Sequence, residues 1–174
     1  MSLLRAFPPV ADARARCLIL GSMPGVASLD AVEYYAHPRN AFWRIMGDLI
    51  GAGADLPYAQ RLDKLCAAGI ALWDVVAACE RPGSLDTAIV PETVRVNDFA
   101  AFLAAHPGIE RIFFNGGAAE ALFRRHVLRQ LDGSRLTLLR LPSTSPAHAA
   151  RAYADKLTAW SAILAASPNP SRAP

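Results

Sequence analysis

The chain has 174 residues, with 18 Lys and Arg against 15 Asp and Glu, for a formal charge of +3. That length fits one domain able to bury a full core, and 53% hydrophobic residues exclude a disordered chain. No apolar run approaches the roughly 18 residues of a membrane helix, and the stretch Cys17–Leu20 meets Gly21 too early for a signal peptide. A cytoplasmic location follows as the expectation. Cys17, Cys66 and Cys79 are too few and too widely spaced for a disulfide framework or a CxxC metal site. They read as free thiols, with no metal.

Residues 1–166 read as a single domain and 167–174 (SPNPSRAP) as a flexible Pro-rich tail. Four short apolar runs predict buried strands at Cys17–Leu20, Ile70–Val76, Ile109–Phe114 and Leu136–Leu141. Each is continuously apolar, as strands covered on both faces are. Helical patterns separate them. Residues 41–50 follow Asn40 as N-cap, residues 57–67 stop before Gly69, and Asn97 precedes DFAAFLAAH, which Pro107 and Gly108 end. Two longer helices are expected over 118–131 and 147–166. Strands alternating with helices predict an α/β fold with a short four-stranded parallel sheet. Right-handed crossovers then bring every loop that follows a strand to one edge.

The loops predicted for that edge are the chemically dense ones. GSMPG (21–25) combines two glycines with a rigidifying proline, and matches neither a dinucleotide fingerprint nor a phosphate loop. YYAHPRNAFW (34–43) sets Tyr34, Tyr35 and His37 in a loop, where core packing explains them poorly and stacking on a base would explain them better. Phe42 and Trp43 read as core anchors of the next helix. Asp74 interrupts the apolar run LWDVV, so it must be paired within the fold, for instance with the loop at 80–87, or face the ligand edge. Asn115 in FFNGG either meets a ligand or shapes a turn. LPSTSPAH (141–148) offers Ser143, Thr144 and Ser145 to phosphate, or simply caps the last helix. The basic residues are almost all Arg, the exceptions being Lys64 and Lys156. Six of them (124, 125, 129, 135, 140, 151) face a single acid, Asp132, over 124–151, a local excess of 6 − 1 = +5. A basic face bordering the groove would suit nucleic acid.

GSMPG, YYAHPRNAFW and LPSTSPAH, each in its expected place, resemble the uracil-DNA glycosylase superfamily over residues 16–165. Their wording is similar to that of its hypoxanthine-DNA (deoxyinosine) glycosylase family. The resemblance implies a three-layer α/β/α sandwich and hydrolysis of the N-glycosidic bond of a deaminated base in double-stranded DNA, hypoxanthine first and uracil second. It implies no metal or organic cofactor and a monomer. Better-known branches carry an acid or amide at the position of Met23 and often a His at that of Leu141. The family pattern therefore supplies Asn40 as the group that positions the attacking water. Gly21, Ser22, Met23, Tyr35, Asp74 and Asn115 would bind the flipped base, with Tyr35 stacking on it. His37, Ser143, Thr144, Ser145 and His148 would contact DNA, the 143–148 loop gripping phosphates and filling the gap in the duplex. Two rivals remain at this point: a hydrolase of free nucleosides or nucleotides, and a catalytically silent DNA-binding module.

Overall fold

The computed structural model describes residues 2–132 and 135–165. In chain order its elements are β1 (Leu4–Arg5), β2 (Cys17–Gly21), α1 (Val26–Ala31), α2 (Phe42–Ile50), α3 (Tyr58–Ala67), β3 (Ile70–Asp74) and β4 (Val76–Cys79). There follow β5 (Arg95–Val96), α4 (Phe99–Ala105), β6 (Arg111–Asn115), α5 (Gly117–His126), β7 (Thr137–Leu141) and α6 (Tyr153–Trp160). The main sheet is parallel throughout, in the order β3-β2-β6-β7.

Alternation along the strands builds the three layers. Leu18 and Leu20 of β2 join Trp73, Ile112 and Phe114 against Phe99 and Phe102 of α4 and Phe123 of α5. Cys17 and Ile19 face the other way, with Leu72 and Phe113, onto Phe42, Trp43, Ile45 and Met46 of α2, Leu65 of α3 and Trp160 of α6. Each such side chain contributes about 1.5–3 kcal/mol on burial. The chain leaves β2 for β3 on one side, then crosses to β6 on the other. The reversal opens a crevice beyond the carboxyl ends of β2 and β6, where such sheets bind ligands.

The structure departs from the sequence expectations at particular points. The second strand ends at Asp74 rather than Val76. Val75 and Val76 donate to the carbonyls of Gly21 and Ser22 at 2.9 and 3.0 Å, and the chain turns into β4 of a small antiparallel sheet, β1-β4-β5. The third and fourth strands begin two and one residues later than expected, at Arg111 and Thr137. β7 is an edge strand whose residues are mostly exposed, so it is not covered on both faces. The cap of α4 is Asp98, which accepts from Ala101 N, while Asn97 donates to Asp74 O at 2.8 Å. Helix α5 stops at His126, ahead of buried Val127 and a 3-10 turn at Leu128–Gln130. The expected 147–166 helix is split into a 3-10 turn at Pro146–His148, α6, and another turn at Ser161–Leu164. α6 starts where Tyr153 docks, its hydroxyl on Asp48 Oδ2 at 2.5 Å and its ring beneath the Arg44 guanidinium. The expected tail at 167–174 lies outside the described residues.

Candidate active site

Four loops converge on one pocket beyond the strand ends. Gly21, Ser22 and Met23 line it from β2, Asp74 from β3, Asn115 from β6, and Ser143, Thr144 and Ser145 from the β7 loop; Tyr35, His37 and Asn40 come from the segment before α2. The cavity holds about 150 Å³, roughly tenfold what a single water needs. Of the site residues expected from sequence, only His148 is not on its wall; it is exposed beyond the loop, and its carbonyl accepts from buried Lys156 Nζ at 2.9 Å.

The segment before α2 is anchored from behind. Tyr34 is a core residue, 3% exposed, which corrects the expectation for it. Its hydroxyl donates to Pro8 O, its carbonyl accepts from Trp43 Nε1 at 2.8 Å, and its N–H donates to the Tyr58 hydroxyl. Phe42 and Trp43 are core anchors, as expected. Tyr35 follows with φ +54, a left-handed conformation that costs a non-glycine residue about 1–2 kcal/mol. Its ring lies against Phe42, tilted by 30° with 4.2 Å between centroids. Asn40 precedes the helix by two positions rather than capping it directly. Its Oδ1 accepts from Phe42 N at 2.9 Å, which fixes the amide at the pocket wall and leaves a second lone pair on that oxygen. His37 Nδ1 accepts from Arg39 N at 3.1 Å, placing the proton of the neutral ring on Nε2.

The pocket floor is polar and unsatisfied. Asp74 is 3% exposed and its Oδ2 has no hydrogen-bond partner among the described residues, while the Tyr35 hydroxyl forms no well-aligned hydrogen bond and interacts only with the Asn115 side chain. Burial first, and the nearby Asp86 carboxylate second, push the Asp74 carboxyl up to about 7, against a smaller pull from Arg81. Burial likewise keeps the Tyr35 phenol protonated at any working pH. Gly21 makes the two groups' approach possible: a Cβ there would lie 2.5 Å from Asp74 Oδ1 and 2.9 Å from Tyr35 Oη.

The loop after β7 is satisfied in contrast. Thr144, 1% exposed, donates from N to Asn115 Oδ1 and accepts at Oγ1 from Asn115 Nδ2, both at 2.9 Å. Its carbonyl accepts from Ala41 N, and Trp160 Nε1 holds Pro142 O. The hydroxyl oxygens of Ser143 and Ser145 accept from backbone amides of their own loop. Asn115 therefore ties two loops together through both of its polar atoms.

A further wall, formed by Ser84 and Asp86, was not among the expected site residues. Arg81, 4% exposed, donates to the carbonyls of Gly83 at 2.9 Å, Pro24 at 2.5 Å and Met23 at 3.4 Å. Ser84 Oγ accepts from Val26 N, and Asp86 Oδ1 accepts from Ser22 Oγ. Pro82–Gly83 signals a turn in the sequence, but nothing local reveals that the preceding Arg is buried in the first loop. None of the six Arg of the Arg-rich stretch lines the pocket, although Arg140 reaches Gly117, next to the Asn115 loop on its wall. Arg124 and Arg140 pair with Glu120 at 3.1 and 3.5 Å, and Arg125 and Arg135 line other hollows. The lining of the pocket itself therefore gives the charge argument no support.

The fold is a three-layer α/β/α sandwich with its pocket at the strand reversal and the Asn40 amide fixed on the pocket wall. The sequence profile of the Uracil DNA glycosylase superfamily matches residues 8–165, and the chain belongs to that superfamily. A protein of Methanosarcina acetivorans named Hypoxanthine DNA glycosylase is 36% identical over 164 residues, 92% of this chain and 97% of that one. One of the same name from Methanosarcina barkeri is 41% identical over 113 residues, 64% of this chain and 70% of its own. A solution NMR structure from M. acetivorans, described as a candidate uracil DNA glycosylase, superimposes with a TM-score of 0.74 at 34% identity. It covers 94% of this chain and 97% of that one. No helix among the described residues is long and apolar enough to cross a membrane.

Proposed function

We propose that the protein hydrolyses the N-glycosidic bond joining hypoxanthine to deoxyribose in double-stranded DNA, leaving an abasic site, and that uracil is a secondary substrate. The observation that carries this reading is the pocket floor, where Asp74 Oδ2 is buried with no hydrogen-bond partner among the described residues and the neighbouring Tyr35 hydroxyl meets only the Asn115 side chain. A buried carboxyl without a partner costs about 1–3 kcal/mol or more, and a heterocycle edge would supply the missing bonds. A carboxyl that titrates at about 7 keeps its proton on much of the population near neutrality. It can then donate to one atom and accept from the next, matching the N1–H and O6 of a lactam edge. The names of the relatives point to the same base.

The chemistry then follows from the geometry. The base leaves the stack at a cost of a few kcal/mol, less at a mispair. It settles on the floor formed by Asp74 and Tyr35, with Gly21, Ser22 and Met23 along its side. Bond cleavage builds oxocarbenium character on the sugar, as in glycoside hydrolysis, and neighbouring phosphates stabilise that cation. A water needs positioning more than deprotonation, and the free lone pair of Asn40 Oδ1 provides it. An amide does not titrate, so Asn40 is no general base; rate depends on a leaving group that can accept a proton. Ser143 and Ser145 at the rim, with His37 and the exposed His148, contact backbone phosphates. Thr144 and Asn115 keep that loop in place. The protein acts as a monomer, residues 1–166 forming the single catalytic domain.

Duplexes carrying hypoxanthine, uracil or xanthine, and free deoxyinosine, test this reading directly. Alkali-labile sites should form fastest in the hypoxanthine duplex, with free deoxyinosine untouched. Cleavage of the free nucleoside alone would show a nucleoside hydrolase instead, and tight duplex binding without abasic product a silent module.

A further inference from the structure

Charge inside the pocket is one-sided. Among the described residues its wall carries two carboxyl groups, Asp74 and Asp86, and no Arg or Lys. The other titratable side chains on it are Tyr34, Tyr35 and His37. Burial keeps both phenols protonated, and His37 Nδ1 accepts from Arg39 N. Arg81 lies behind the first loop, where it donates to the carbonyls of Met23, Pro24 and Gly83 rather than to either acid. Among the described residues neither acid forms an ion pair.

Asp86 is exposed but held in place. Its Oδ1 accepts from Ser22 Oγ at 2.5 Å, and its carbonyl accepts from Ile89 N at 3.2 Å. Two residues earlier, Ser84 Oγ accepts from Val26 N at 2.9 Å. These bonds set the acid against the pocket's first loop. Ser22 adjoins Gly21, the residue that Asp74 Oδ1 crowds. The two acids therefore act on each other: the Asp86 charge is the second cause, after burial, that pushes the Asp74 carboxyl up.

An ionised acid on this wall works against a polyanionic substrate, so its use lies with the base. A negative wall with no cation beside it accepts a neutral heterocycle and repels an anionic one, strongly so away from bulk water. Deaminated purines differ in this respect. Hypoxanthine in a nucleoside stays neutral well above neutral pH, whereas xanthine in a nucleoside loses its N3 proton just below it.

We propose that Asp86, acting with Asp74, makes the pocket selective for uncharged bases, so that hypoxanthine is released and the xanthine anion is rejected. The proposal rests on the glycosylase reading above. Asp86→Asn keeps the size of the side chain and an oxygen for Ser22 Oγ while removing the charge, and at an exposed position it is compatible with the fold.

The test uses the full chain, in excess over duplexes carrying deoxyinosine or deoxyxanthosine at one position, and reads the ratio of the two rates of abasic-site formation from mildly acid to mildly alkaline pH. A ratio is insensitive to a partial loss of folded protein. Wild type should favour hypoxanthine by about 100-fold at mildly alkaline pH, and the preference should narrow about tenfold on acidification as xanthine regains its proton. Asp74, which titrates at about 7, is then ionised at mildly alkaline pH in both proteins, which leaves the Asp86 charge as the difference between them. There Asp86→Asn should raise xanthine release about tenfold relative to hypoxanthine release. A preference that the substitution leaves unchanged or widens would overturn the proposal while leaving the glycosylase intact. A wild-type preference that does not vary with pH would overturn it as well, since rejection would then follow the shape of xanthine and not its charge. Wild-type protein that releases neither base would remove the functional reading, and the selectivity with it.

Discussion

The floor of the pocket and the loop after β7 are both polar and both largely buried, yet they differ in one respect. Every polar atom of Thr144, and both of those on the Asn115 side chain, has a partner within the protein. Asp74 Oδ2 has none among the described residues, and Tyr35 Oη, equally sealed from water, has only a poorly aligned contact with Asn115. Proteins rarely leave buried polar groups unpaired, so the loop reads as scaffold and the floor as a surface completed by a ligand. Residue type does not separate the two, since an Asn, a Thr, an Asp and a Tyr could each read a base or brace a turn; the partners do.

The strongest way to break this contrast is to fill the floor. Gly21→Ala places a methyl 2.5 Å from Asp74 Oδ1 and 2.9 Å from Tyr35 Oη. Hypoxanthine release should fall about 100-fold, the scale of a 1 Å misplacement, and stability by about 1–3 kcal/mol. Single-turnover rates and a denaturant melt read both, and an unchanged rate would mean that the floor is not used.

A second prediction concerns charge. The unfolded chain loses the Asp74 proton near 3.8 and the folded chain at about 7. Between those values the folded state binds more protons, so this group makes stability fall as pH rises, levelling off above about 7. Asp74→Asn removes the slope. It should match wild type near pH 4 and exceed it by up to a few kcal/mol at pH 8, as urea melts across pH would show. Parallel curves for the two proteins would contradict the unpaired state of the carboxyl.

The smallest effect belongs to the scaffold. Thr144→Val strands the buried Asn115 Nδ2 and should cost about 1–3 kcal/mol of stability. The rate at saturating substrate should change less than about tenfold, because no bond to the base is lost. A far larger loss of rate with little loss of stability would move Thr144 and Asn115 to the reactive side of the contrast.

Much of this was legible in the sequence because the strands are short, apolar and bounded by loops of distinctive composition. Cys17–Leu20 reads as a strand with no knowledge of its neighbours, and the pocket follows once parallel strands place their loops on one edge. What escaped depends on contacts distant in sequence. The two-residue strands Leu4–Arg5 and Arg95–Val96 have no periodicity to read. The break before Tyr153 is set by Asp48 and Arg44. The burial of Arg81 is visible only with the first loop folded against it. Net charge along the chain could not place the Arg side chains, none of which lines the pocket.

The central claim is that an amide, held by the start of a helix at the wall of a base pocket, positions the water that cleaves the glycosidic bond. Its most direct test is single-turnover release of hypoxanthine from a deoxyinosine duplex by wild type and Asn40→Ala, with circular dichroism and melting to confirm the fold. The account predicts a loss of at least about 100-fold in the variant, the scale of losing one positioned group, with stability lowered by no more than about 1–2 kcal/mol for the missing bond to Phe42 N. A folded Asn40→Ala that cleaves at the wild-type rate would contradict it.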